Sequence, residues 1–237
     1  MPDFLLIHGS CHGAWCWRDT ISALQAAGHT ARAIDLPSHG SDPTPIGDVT
    51  LETCRDAVLA ASTRDTIIVG HSWGGFPISA AAEAAPESMR GLVFLCAYLP
   101  VSGMSMIDMR KAGPRQTIMQ SVIASRDRAS YTINPDDVEN LFYHDCPPGT
   151  LGYALPRLCP QAIAPQNTPI NLGEPFASVP KAYIHCAEDR TIPPEYQEQM
   201  AQTLPTQMVQ TLECSHSPFF ACPDRLAETL GRIAAAM

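Results

Sequence analysis

Apolar and polar positions along the chain alternate between two patterns. Short runs, most of them largely apolar (Phe4–His8, Thr30–Asp35, Thr66–Val69, Gly91–Leu95, Lys181–Cys186 and Gln207–Leu212), predict strands buried on both faces. Between them lie stretches of helical spacing. Thr20–Ala27 carries Ile21 and Leu24 and stops at Gly28, and Leu51–Ser62 follows Thr50 as an N-cap. The residues after Ser72 run as a helix to about Ala85 and are halted by Pro86, while Pro194–Thr203 and Pro223–Ala235 supply two more. Strand and helix in strict alternation predict an α/β domain with a mainly parallel, doubly wound sheet of about six strands. From Ser102 to Ser178 the rhythm fails: prolines are frequent, no clear β run stands out, and Gly113–Ser125 and Pro135–Phe142 read as helical pieces. The predicted organisation is a core of residues 1–101 and 179–237 interrupted by a mostly helical insertion, 102–178, entering at the strand-end edge where ligands of such sheets bind.

Composition narrows the function. The 237 residues are 45% hydrophobic and 16% charged, enough to bury a full core. A formal charge of −9 argues against nucleic acid and anionic membrane surfaces, which need a basic patch. No apolar run approaches the roughly 18 residues of a membrane span. The start, Met1-Pro2-Asp3-Phe4, lacks the basic segment of an export signal, so a cytoplasmic location is expected. Nine cysteines (11, 16, 54, 96, 146, 159, 186, 214 and 222) have no disulfide rhythm and form no Cys-x-x-Cys pair. They read as reduced, small buried residues, with neither metal nor cofactor expected.

Candidate chemistry begins where the strand Thr66–Val69 runs into Gly70-His71-Ser72-Trp73-Gly74 and then a helix. A serine on such a strand-to-helix turn presents its hydroxyl to a cleft, and Gly70 and Gly74 permit the close approach the turn needs. A serine hydroxyl needs a base to take its proton and an acid to hold that base. Two loops after later strands offer them: Asp189 beyond Lys181–Cys186, and His216 beyond Gln207–Leu212. Glu188 and Glu213 are neighbouring alternatives for the acid. Among other histidines, His71 is expected to face away from its neighbour's hydroxyl, and His8, His12 and His39 precede the serine. An oxyanion needs N–H donors, for which the amides of Trp73 and Ser10 are candidates, with Gly9 bare so that no side chain crowds the anion. In the insertion, Met104, Met106, Ile107, Met109, Ile118, Met119, Phe142 and Tyr143 are candidates for an apolar pocket. The pocket is further expected to include Gly9, His12, Trp73 and Ser217.

Taken together, His8-Gly9-Ser10-Cys11-His12-Gly13-Ala14-Trp15-Cys16-Trp17 and Gly70-His71-Ser72-Trp73-Gly74-Gly75 resemble the α/β-hydrolase superfamily. Within it, the chain is similar to the branch of plant methyl esterases and related hydroxynitrile lyases. The likeness extends through Asp35-Leu36-Pro37-Ser38-His39-Gly40, Glu188-Asp189-Arg190-Thr191-Ile192-Pro193 and the His216 loop. The resemblance implies a Ser72–His216–Asp189 triad, an oxyanion hole at Ser10 and Trp73, a helical cap, a small-molecule ester as substrate, and a homodimer as a common assembly. The lyases carry threonine at the Gly9 position and lysine after the histidine, where this chain has Ser217. That difference favours ester hydrolysis over cyanide release, and a receptor with slow turnover is a further alternative on the same fold. Trp73 departs from the plant pattern.

Overall fold

A computed structural model describes residues 1–237. Its main sheet has six strands in the order β2-β1-β3-β4-β8-β9, every neighbouring pair parallel. These are β1 (Asp3–Ile7), β2 (Thr30–Ile34), β3 (Thr66–His71), β4 (Gly91–Leu95), β8 (Lys181–Cys186) and β9 (Val209–Leu212). Successive side chains of a strand point to opposite faces, and an all-apolar run therefore feeds two cores at once. Phe4, Leu6, Ile67, Val69, Val93 and Leu95 pack into one cluster, while Leu5, Ile7, Ile68, Leu92 and Phe94 enter another on the opposite face. On the first face lie helices α1 (Arg18–Ala26) and α10 (Pro223–Ala236), packed on each other. The second is covered by α2 (Leu51–Ala61), α3 (Gly75–Ala84) and α8 (Pro194–Ala201), whose buried residues join that cluster. Thr50 caps α2 in a reciprocal box with Thr53, as its position ahead of the apolar stripe anticipates. No helix is long and apolar enough to cross a membrane.

The segment between β4 and β8 departs from the expectation of a mostly helical insertion without strands. Its helices are short: α4 (Met106–Ala112), α5 (Thr150–Ala154), α6 (Ala164–Asn167) and α7 (Glu174–Ser178). A three-stranded sheet joins them, with β5 (Val122–Ala124), β6 (Ser130–Ile133) and β7 (Gln161–Ala162) in antiparallel pairs. Gly113–Ser125 is thus not a helix: only Met119–Ser121 turns helically before β5 begins. Ser125 and Asp127 close the β5–β6 hairpin through the Ser125 hydroxyl, with Arg128 in the left-handed region at φ 59°. Pro135–Phe142 narrows to one helical turn, Glu139–Tyr143. Strands of two to four residues are too short for period-two alternation to stand out, although Tyr131 and Ile133 are buried and Thr132 between them is exposed.

Because all six main strands run the same way, the loops after β1, β3, β8 and β9 emerge at a common edge. Ser10, Ser72, Asp189 and His216 lie on those four loops. A last short helix, α9 (Pro218–Ala221), follows His216 and packs the ring of Phe219 edge-on against His71.

Candidate active site

Ser72 adopts φ 55°, a left-handed conformation that costs a non-glycine residue of order 1 kcal/mol and persists only where the surroundings impose it. What imposes it is the approach of the helix to β1: a Cβ on Gly74 would lie 2.9 Å from the carbonyl oxygen of His8. The hydroxyl makes no hydrogen bond within the protein and faces a cavity between the loops of the sheet edge and residues of the insertion. His216 lies on the same wall, its Nδ1 2.7 Å from Oδ2 of Asp189, and its Nε2 is engaged by no other protein group.

Asp189 is buried, and four donors hold its carboxylate. Oδ2 accepts from His216 and from Nε2 of Gln197 at 2.8 Å, while Oδ1 accepts the amides of Thr191 at 2.6 Å and Ile192 at 2.9 Å. A buried carboxylate is tolerated when its lone pairs are matched in this way. Glu188 and Glu213, the other candidates for this role, are both exposed.

The remaining histidines near the edge are occupied differently. His71 donates from Nε2 to the carbonyl of His216 at 2.8 Å, bracing the backbone of that loop and turning away from Ser72 as expected. His8 accepts the Leu36 amide on Nε2, and His12 donates from Nδ1 to the Ser10 carbonyl while Nε2 accepts the Tyr143 hydroxyl. Burial pushes His8 and His71 well below their ordinary range and His12 down to about 4, so all three are neutral near pH 7. His71, Cys96 and His216 present donor atoms within 4.8 Å of one another, the one such trio that a metal ion would find. The His71 Nε2 and the Cys96 thiol point at the His216 carbonyl and the His216 Nδ1 at Asp189, which leaves the His71 Nδ1 and the His216 Nε2 without a protein partner.

Of the expected pocket residues, Ser10, His12, Trp73 and Phe142 line the cavity, as do Met106 and Ile118. Gly9 and Ser217 do not. A Cβ on Gly9 would sit 2.7 Å from Nδ1 of His71 and 2.8 Å from Cβ of Ser72, so the glycine is required by the serine turn packed on it rather than by room for an anion. Ser217 is fully buried beneath the histidine loop, with its hydroxyl unpartnered. Met104, Ile107, Met109, Met119 and Tyr143 are also off the wall, where Tyr98, Arg110, Tyr131, Ile133, Thr191 and Ile192 stand instead. Thr191 and Ile192 were within reach of sequence reasoning, being neighbours of Asp189. Arg110 and Tyr98 carry no local signal.

Sequence reasoning also missed Gln161. This fully buried residue of β7 reaches from the insertion to the core, where its Oε1 accepts the Cys11 amide at 3.4 Å, the Trp73 indole N–H at 3.1 Å and Nε2 of His39 at 3.0 Å. One carbonyl thereby ties together the loop after β1 and the residue after Ser72. Gln166 adds a second tie, its Nε2 donating to the Ser10 hydroxyl at 2.7 Å. The Ser10 amide itself donates to nothing in the protein, and Cys11 beside it is left-handed at φ 62°. Gln161→Leu would leave three buried donors without an acceptor and is expected to cost about 3 kcal/mol, each orphaned donor contributing roughly 1 kcal/mol or more. Thermal unfolding should register this as a fall in Tm of about 6–12 °C. An unchanged Tm would mean that the donors find other partners.

The chain is similar to known proteins over nearly its whole length. Residues 4–229 match the model of the Alpha/beta hydrolase family. Methylesterase 1 of Arabidopsis thaliana is 32% identical over 98% of this chain and 95% of its own length. Methyl jasmonate esterase 1 of Vitis vinifera is 27% identical over 97% and 95%. The crystal structure of a pyrethroid hydrolase from Sphingobium faniae JZ-2 superposes with a TM-score of 0.86 at 26% identity, covering 99% of this chain and 98% of that one.

Proposed function

The chain belongs to the alpha/beta hydrolase family, and on that footing we propose that it is a serine esterase cleaving a small carboxylic ester through an acyl-enzyme on Ser72. The observation that carries the reading is the convergence, on one cavity, of a strained serine free of hydrogen bonds and a histidine whose far nitrogen is held by a buried carboxylate. Relatives named as methylesterases and as a methyl jasmonate esterase support the ester bond as the target.

The chemistry follows from the donors and acceptors present. His216 takes the Ser72 proton on Nε2 as Oγ attacks the ester carbonyl, and Asp189 stabilises the imidazolium from the Nδ1 side. The carbonyl oxygen becomes an oxyanion, for which the amides of Ser10 and Trp73 are the donors at the cavity wall. His216 passes its proton to the leaving alkoxide and an alcohol departs. A water, deprotonated in turn by His216, attacks the acyl carbon and releases the acid, restoring the Ser72 hydroxyl. Residues 102–178 act as a cap: Phe142, Tyr131 and Met106 roof the serine and exclude bulk water. Against lyase chemistry, Ser217 is uncharged and buried, and a threonine at position 9 would overlap His71 and Ser72.

A fluorophosphonate probe tests this reading. The parent protein is expected to hydrolyse p-nitrophenyl butyrate and methyl esters of aromatic acids. The probe should label one peptide, containing Ser72, at one mole per mole and abolish turnover in step. Absence of turnover together with absence of labelling would remove the serine esterase reading, and labelling at another residue would move the nucleophile.

A further inference from the structure

We propose that the cavity is built for an ester that also carries a carboxylate, such as a monoalkyl ester of a dicarboxylic acid, and that Arg110 is the residue that receives that carboxylate. The inference rests on the esterase reading only for the ester half of the molecule; the anion half stands on Arg110 itself.

Arg110 lies in the last turn of α4 and is half-buried, whereas Lys111, next in the chain, is exposed. The Nε of Arg110 is fully buried and has no hydrogen-bond partner. No carboxylate of the protein lies within ion-pair distance of the guanidinium, and it is stacked on no aromatic ring. This is in a chain with 24 acidic side chains against 15 Lys and Arg, where Arg115 one turn further on finds Glu195. A guanidinium drawn partly out of water without a counter-charge is costly unless a ligand supplies one.

Its surroundings indicate what that ligand is. Arg110 is the one lysine or arginine on the cavity wall, no carboxylate stands there, and burial keeps His12 and His71 neutral. Most of the remaining wall is apolar, with Met106, Ile118 and Ile133 among it. A second, independent donor faces the same space: the Tyr98 hydroxyl makes no hydrogen bond in the protein. Burial raises the pKa of the Tyr98 phenol. The phenol therefore remains a proton donor at neutral pH. A guanidinium and a phenol O–H on the wall of one largely apolar cavity can serve the two oxygens of a carboxylate. With Ser72 on the same wall, one ligand would present its ester carbonyl to the serine and its anionic end to Arg110.

The test compares monomethyl and dimethyl adipate, which differ in one methyl group and one charge. The parent is expected to favour the monoester in kcat/KM by about 10- to 100-fold, the worth of one charge-assisted hydrogen-bonded contact. Arg110→Met should collapse that ratio toward one, and Arg110→Lys, which keeps the charge but not the fork, should restore part of it. Calorimetric titration of Ser72→Ala with monomethyl adipate separates this inference from the esterase reading. Binding that is lost in the Ser72→Ala, Arg110→Met double variant upholds the anion site even if no ester is turned over. A parent that prefers the diester, a ratio unmoved in Arg110→Met, or a Ser72→Ala protein that fails to bind the monoester overturns it. Each variant is compared at matched circular dichroism and Tm, so that a ratio altered by misfolding is recognised.

Discussion

Replacing Ser72 with alanine is expected to lower kcat for ester hydrolysis by about 10⁴-fold or more, with the protein still folded. The two halves of that expectation have separate physical grounds. The Oγ is the only heavy atom removed, and the other aliphatic hydroxyls on the cavity wall are engaged: Ser10 is bonded to Gln166, and Thr191 donates to the Leu141 carbonyl. Stability should hardly change, because the Ser72 hydroxyl has no hydrogen bond to lose and alanine retains the Cβ that makes φ 55° costly. Ser72→Gly supplies the contrast. It also removes the nucleophile, but relieves the left-handed strain, and is expected to be more stable than Ser72→Ala by about 1 kcal/mol. Initial rates on p-nitrophenyl butyrate and urea midpoints for the three proteins check both halves. Retention of more than about a hundredth of the parent's kcat in Ser72→Ala would show that another group performs the attack.

The main sheet was legible because a strand buried on both faces leaves an apolar run with no polar interruption, as in Phe4-Leu5-Leu6-Ile7. All six of its strands begin within two residues of the expected position, and the order Ser72, Asp189, His216 could be placed because each residue follows such a strand. The insertion was not legible for the opposite reason. Its strands are two to four residues long, and β7 and α6 are held by contacts to distant segments, through Gln161 and Gln166, rather than by any pattern of their own. The same holds for the cavity wall. Phe142, Met106 and Ile118 could be named only among eight apolar residues of the insertion, the other five of which stand off the wall. Nothing local distinguishes Arg110 from the exposed Lys111, and only the absence of an acid partner in three dimensions sets it apart. Gly9 carries a subtler lesson. The residue was correctly marked as unable to bear a side chain, but the obstruction is the His71 ring and the Ser72 Cβ, not a bound anion.

The histidines that frame the site without entering the chemistry set the protein's tolerance of acid. Burial lowers the pKa of His8, His12 and His71, to about 4 for His12. In the unfolded chain each titrates near the ordinary value of about 6.5. As pH falls through that value, the unfolded chain therefore gains protons that the folded protein refuses. The stability these neutral rings permit is complete above about pH 6.5 and drains as pH falls toward 4 and below. Each ring contributes a slope of about 1.4 kcal/mol per pH unit in that window. At pH 5 three rings would amount to a loss of about 6 kcal/mol, comparable with the entire stability of a typical domain, roughly 5–15 kcal/mol. His39 should add less. Burial lowers its pKa too, but its ring nitrogens face the carbonyls of Pro37 and Gln161, which favour the protonated ring. Urea midpoints at pH 7.5, 6.0 and 5.0 are expected to fall steeply across the series, with a proton uptake on unfolding of about three. His12→Asn should flatten the slope by close to one proton, whatever its effect on stability at pH 7.5. A midpoint independent of pH between 7.5 and 5.0 would mean that these rings are protonated in the fold, and that the neutral tautomers assigned to them around Ser10 and His216 are wrong.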